Sequence, residues 1–219
     1  MKLKIFFSVL LITFIPMVSF AHTFDLIYND GSSKSCNYNE LSGELFVDHV
    51  LNKPVKEIKT NIEKKYIKKI NFSFVYLDNL CEEFWNCTNE CEIIKMNYVT
   101  SSNLDFVKKI PNLRVLSLIE SNKIKSVTEL DFSSNNKLEY IELEGLTINI
   151  ENKVILPEGV KYFVICYSNI NKNGYEKFAE CISKDTVFII DSSQEDLIKN
   201  PYLNAEKVLR TIWNEYNLY

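Results

Sequence analysis

Apolar residues return along this chain in a fixed three-point spacing, apolar-x-x-apolar-x-apolar. Between Tyr66 and Asp191 it occurs six times. The units are Ile67-Ile70-Phe72, Cys91-Ile94-Met96, Leu113-Leu116-Leu118, Leu138-Ile141-Leu143, Val160-Phe163-Ile165 and Asp185-Phe188-Ile190. Their starts lie 24, 22, 25, 22 and 25 residues apart. Asp185 is the single polar residue in these positions, in a chain that is 46% hydrophobic, so the recurrence is periodic and not compositional. Within each unit the last two positions are two residues apart, which puts both side chains on one side of a short strand. The residues between and beside them point the other way. One unit cannot bury its own apolar side, but stacked units with parallel strands share a continuous core.

The stretch Leu156-Pro157-Glu158-Gly159-Val160-Lys161-Tyr162-Phe163-Val164-Ile165, running on to Ser168 and Ile170, resembles the leucine-rich repeat, LxxLxLxxNxL. Ile110-Pro111-Asn112-Leu113-Arg114-Val115-Leu116-Ser117-Leu118 and Lys137-Leu138-Glu139-Tyr140-Ile141-Glu142-Leu143 resemble it next best. The resemblance implies an α/β solenoid, with a parallel sheet on its concave side and loops and short helices on its convex side. The chain departs from the family at the ninth position. Val75, Val99, Ser121, Leu146, Ser168 and Ser193 stand where asparagine is usual, with Asn122 and Asn169 one place later. A regular asparagine ladder is therefore not expected.

On this reading about six repeats span 66–195, between an N-terminal cap at 22–65 and a C-terminal capping helix at 196–219. The N-terminal segment carries no repeat. Val47, Val50 and Leu51 predict one helical turn there, and Val55, Ile58 and Ile62 another. In the last segment Asn200 suits an N-cap and Pro201 a first helical position. Leu203, Val208, Leu209, Ile212, Trp213 and Tyr216 then recur at helical spacing, a stripe predicted to hide the end of the core. The same stripe also suits a membrane surface or a partner.

The first residues predict export. Lys2 and Lys4 precede an apolar run from Ile5 to Val18, and Ser19-Phe20-Ala21 has the small residues of a cleavage site, so 1–21 reads as a signal peptide. The product is expected outside the cell or at its surface, or in the periplasm of a Gram-negative bacterium. No second apolar run of comparable length follows, so no membrane span is expected in the mature chain. Cys36, Cys81, Cys87, Cys91, Cys166 and Cys181 then read as disulfide candidates, with Cys36 expected to reach one of the central three. Their spacing lacks CxxC and a nearby histidine pair, which argues against zinc. The net charge of −4 leaves no basic footprint for nucleic acid. Asn71-Phe72-Ser73 and Asn86-Cys87-Thr88 match the N-glycosylation signal, and Asn86 is expected in a loop.

Catalytic signatures are sparse. The scattered glycines exclude GxGxxG, the phosphate-binding loop and GxSxG, and HExxH is missing. Two enzymatic alternatives remain. Cleavage after Ala21 would expose His22 as the N-terminus, and with His49 it resembles the copper brace of secreted polysaccharide monooxygenases. Glu139, Glu142 and Glu144 cluster, and the last two alternate outward as a glycosidase pair would. The main expectation is a non-enzymatic recognition module without cofactor or metal. It would bind a protein or peptide through the outward side of the sheet, a role that family analogy extends to host interaction. The candidate binding residues are Tyr98, Val115, Ser117, Glu120, Tyr140, Glu142, Tyr162, Val164, Tyr167 and Ile189, flanked by Ile93 and Lys95. Tyrosine provides large contact area there at modest entropic cost.

Overall fold

The computed structural model describes residues 22–120, 124, 127–190 and 213–216. The segment read as a signal peptide, positions Ser121 and Ser193, and most of the predicted C-terminal helix lie outside them. No helix among the described residues is long and apolar enough to cross a membrane.

The strands are β1 (Phe24–Tyr28), β2 (Ser33–Asn39), β3 (Glu44–Val50), β4 (Val55–Thr60), β5 (Lys69–Val75), β6 (Ile93–Asn97), β7 (Val115–Ile119), β8 (Leu130–Asp131), β9 (Tyr140–Glu144), β10 (Thr147–Ile148), β11 (Val154–Ile155), β12 (Tyr162–Cys166), β13 (Asn169–Ile170) and β14 (Val187–Ile190). Helices α1 (Glu82–Thr88) and α2 (Lys172–Cys181) are short, and three brief 3-10 segments lie between β4 and β7. Ten strands form one sheet in the order β14-β12-β9-β7-β6-β5-β3-β2-β1-β4. From β3 to β14 neighbouring strands run parallel; β2, β1 and β4 extend the sheet antiparallel at one edge.

This architecture overturns the expected fold class. In place of a capped α/β leucine-rich-repeat solenoid, the described residues make one large mixed sheet, antiparallel along one edge and with few helices. The correction is largest in 22–65, where both predicted helical turns are strands. Val47 and Val50 are three apart because His49 between them takes a left-handed φ of 48°, which shifts the apolar phase by one residue. Val55 and Ile58 are three apart because the pairing of β1 with β4 changes register between Ile27 and Tyr28, leaving Lys56 bulged. A strand interrupted this way has the same three-residue spacing as a helix.

The core lies against one side of the sheet. Leu45, Ile70, Ile94, Leu116, Ile141, Phe163 and Phe188 are paired in sequence across seven strands. A second row runs Val47, Phe72, Met96, Leu118, Leu143, Ile165 and Ile190. Under one end of these rows Phe84 and Trp85 of α1 pack on Phe24, Phe72 and Phe106 at ring separations of 5.7–6.2 Å. Under the other, Phe178 of α2 meets Phe163 and Phe188. The connectors satisfy buried backbone locally. Asn135, fully buried, donates to the carbonyls of Val107 and Ile110, and the Asn171 side-chain Oδ1 caps α2 by accepting from the Gly174 amide at 2.8 Å. At the antiparallel edge, the Ile58 amide donates to the Glu83 carboxylate at 2.8 Å, which blocks one open donor of the last strand.

Three substitutions test this packing. Ile141→Ala removes buried carbons from the centre of the first row and should cost about 2–5 kcal/mol in urea unfolding. Gly43, in the turn before β3, has a φ of 65°, and an added Cβ would lie 2.5 Å from the Tyr66 carbonyl oxygen. Gly43→Ala should therefore destabilise by more than about 1 kcal/mol, whereas Gly31→Ala, with open space around it, should cost less.

Candidate functional site

The outward side of the sheet carries the predicted binding residues and divides into two regions. Val115, Tyr140, Tyr162 and Val187 form one cross-strand row, and Ser117, Glu142, Val164 and Ile189 the next. Val115, Ser117, Tyr140, Glu142, Val164 and Ile189 are buried, contrary to the solvent-facing surface expected of them. A helical turn at Trp213–Tyr216 lies on them. The Tyr216 ring packs 5.4 Å from Tyr140 and 6.1 Å from Tyr162, and the Trp213 indole N–H donates to Glu142 at 3.2 Å. These residues form an apolar cluster separate from the main core. The stripe predicted to close the end of the core thus contributes Trp213 and Tyr216 to the outward face; its other members lie outside the described residues.

Glu142 is the electrostatic centre of this region. It accepts from the Ser117 hydroxyl at 2.5 Å and from Trp213, and only 2% of its surface is exposed. Burial raises its carboxyl above the ordinary range, against the opposing pull of those hydrogen bonds and of Lys95. Burial, reinforced by Glu142, raises the Tyr140 phenol as well. Along the strand entrances runs a row of alternating charge: Lys68 to Glu92 at 3.3 Å, Arg114 to Glu92 at 3.7 Å and to Glu139 at 3.0 Å, and Lys161 to Glu139 at 2.8 Å. Lys161 and Arg114 hold the Glu139 carboxyl below its usual range. Of the pair expected to act as a glycosidase, Glu142 is buried beneath Trp213 and Glu144 is half-buried at the end of β9, while the neighbouring Glu139 is held in ion pairs.

The second region is open. At the strand exits His49, Phe74, Tyr98, Glu120 and Tyr167 all have left-handed φ values between 48° and 55°, and Gly145 occupies the equivalent place after β9. Side chains other than glycine resist this conformation by about 1–2 kcal/mol each. His49 stacks on Phe74 at 5.3 Å, and Phe74 on Tyr98 at 4.9 Å with rings 3° from parallel. Phe74 and Tyr98 are 41% and 47% exposed, and Tyr167 75%. A shallow depression lined by Tyr28, His49, Leu51, Asn52 and Lys53 adjoins the column. Asp48 accepts from Lys34 at 2.8 Å and lies 3.0 Å from the His49 ring; these contacts, Lys34 foremost, hold its carboxyl low.

Of the predicted residues, Tyr98, Glu120 and Tyr167 belong to this open rim, and Tyr162 is half-buried beside the covered region. Phe74 was missed, and His49 was named only as a copper-ligand candidate. Phe74 was legible, because it lies seven residues after Ile67, as Tyr98 lies seven after Cys91 and Tyr167 seven after Val160. His49 precedes the first recognisable unit and has no such marker.

The remaining candidates are dispersed. His22 precedes β1 beside Tyr38 and Glu40, whereas His49 adjoins Tyr28 at the far end of that strand, so the two histidines do not converge. Among the described residues no three His, Cys, Asp or Glu side chains group as metal ligands. Cys36, Cys81, Cys87, Cys91 and Cys181 carry free thiols in this structure. Cys36 on β2 is separated from Cys91 before β6 by β3 and β5, roughly 14 Å at about 4.8 Å per strand, too far for a bond. Cys166 packs in the outward cluster and Cys181 on α2 beneath the sheet, on opposite sides. Asn71 is half-buried on β5 and donates to Glu44; Asn86 is exposed but lies within α1, not in a loop.

No family model matches the chain, and neither does any curated protein or solved structure.

Two measurements follow from these environments. Burial pushes the Cys36 and Cys91 thiols up to about 12. In reduced protein at neutral pH, alkylation followed by peptide mass spectrometry should find Cys81 and Cys87 labelled well before Cys36 and Cys91. Glu142 titrates higher folded than unfolded, so its contribution to stability is greatest below the ordinary carboxylate range and is lost as pH rises through the raised value. Glu142→Gln should accordingly gain in urea midpoint over the wild type between pH about 4 and about 8; a pH-independent difference would contradict this.

Proposed function

We propose that this chain is an exported, non-enzymatic recognition module for a protein or peptide, and that the column His49–Phe74–Tyr98 is the centre of its contact surface. The observation that carries the reading is the column itself: exposed stacked rings held on backbone that disfavours any side chain but glycine. Such strain persists where the surrounding structure enforces it, and it concentrates at sites of function. Stacking removes much of the rotamer freedom that a partner would otherwise have to freeze on binding. Aromatic anchors surrounded by polar groups are the usual energetic centre of a protein interface. Here the polar surround is Asp48, Lys53, Asn97 and Glu120, with Tyr167 further along the same rim. Export rests on the residues 1–21 pattern, Lys2 and Lys4 before Ile5–Val18 and the small residue Ala21.

The test is comparative capture. Wild-type protein and a Phe74→Ala/Tyr98→Ala variant are each cross-linked to extracellular and membrane-surface fractions, and captured proteins are quantified. Losing two anchors worth about 2 kcal/mol each, about 4 kcal/mol together, should weaken any specific partner by roughly 1,000-fold. Both side chains are exposed, so the variant should keep the wild-type melting transition. A saturable partner captured equally by the folded variant would place the interface elsewhere.

A further inference from the structure

The covered region has the make-up of a binding site more than that of a core. We propose that the outward face between Val115 and Ile189 is a docking site for a short helical peptide carrying an indole and a phenol three residues apart, which this chain fills with its own Trp213–Tyr216. The inference does not rest on the aromatic column.

Three observations carry it. The cluster under Trp213 and Tyr216 is distinct from the main core and lies on the opposite side of the sheet. At its centre is a carboxylate, Glu142, together with the Ser117 hydroxyl, where a permanently closed core would be served better by apolar side chains. That carboxylate receives the indole N–H of the covering segment, so one of its few partners belongs to the occupant and leaves with it. The rim is polar and specific: the Tyr162 hydroxyl meets Glu215, and the Tyr216 hydroxyl meets Glu139, both at 3.4 Å. Indole and phenol therefore each insert an apolar body and present one donor to a carboxylate already in place. This is the division between buried anchor and orienting hydrogen bond that peptide grooves use.

The occupant is one four-residue turn, Trp213-Asn214-Glu215-Tyr216. Its half-buried Trp213 and buried Tyr216 stand three positions apart, the spacing that places both on one side of a helix. Because it is tethered, it occupies the site at high effective concentration, and an external peptide of the same chemistry must compete with it.

The experiment uses a fluorescein-labelled synthetic peptide with the sequence of residues 211–219 and reads anisotropy against three full-length proteins. These are the wild type, a Trp213→Ala/Tyr216→Ala variant, and that variant with Glu142→Leu added. The vacated site should bind the peptide at least ~10-fold more tightly than the wild type, where the tethered copy competes. Adding Glu142→Leu should weaken binding at least ~10-fold, since the indole N–H loses its acceptor. Phe74→Ala in the double variant should leave peptide affinity unchanged, which separates this site from the column. Equal binding to wild type and double variant, or none to a folded double variant, overturns the proposal. So does insensitivity to Glu142→Leu. A double variant that fails to fold also overturns it, because a displaceable occupant cannot be what holds the sheet together.

Discussion

In-register parallel pairing is the constraint on which the rest of this structure depends. When strands of successive units stack residue for residue at about 4.8 Å, every position of a unit is forced into a row with its counterparts. Rows of Ile, Leu, Phe and Met then bury themselves together on one side, where no single unit has enough apolar surface to do so. The same constraint governs the polar positions. The residues just before each strand become the alternating row Lys68, Glu92, Arg114, Glu139 and Lys161, in which each charge faces an opposite one. Like charges at those places would oppose the register that the core requires.

The left-handed residues at the strand exits follow from the same stacking. Each chain must leave the sheet sharply so that its connector can pass beneath, and the next side chain, as at Val50, Val75, Val99, Leu146 and Ser168, turns inward and is buried. The turn itself is satisfied by glycine at one place, Gly145. Histidine, phenylalanine, tyrosine and glutamate at the others cost stability, and the register that imposes the turn also aligns their side chains into a column. A geometric necessity of the backbone thus lines up the rings proposed as the contact surface.

Above the sheet the two halves differ in what meets them. Between β7 and β14 the outward residues are large and apolar, Val115, Tyr140, Tyr162, Val164 and Ile189, and two aromatic residues from the end of the chain cover them. Between β3 and β6 the outward positions include Lys69, Asn71, Ser73, Lys95 and Asn97, and they need no such cover. The sheet therefore has an open aromatic rim beside a face that the turn at Trp213–Tyr216 occupies.

Much of this organisation could be read from the residues alone. The three-point apolar spacing determined which side chains of the six units face the core, because strand periodicity is a local property of the backbone. Tyr98 and Tyr167 were expected on the outward side of the sheet, and Phe74, though missed, shares their offset of seven residues from the start of a unit. Other features depended on contacts between distant segments. A bulge or a left-handed residue changes the apolar spacing from two to three, so strands β3 and β4 imitate helical turns, and only their pairing partners reveal the extra residue. Local pattern likewise separated inward from outward positions but said nothing of what lies upon them. Whether Tyr140 and Glu142 meet water or meet Trp213, 71 residues beyond Glu142, was decided by the tertiary structure, because burial belongs to the whole chain and not to the segment that is buried.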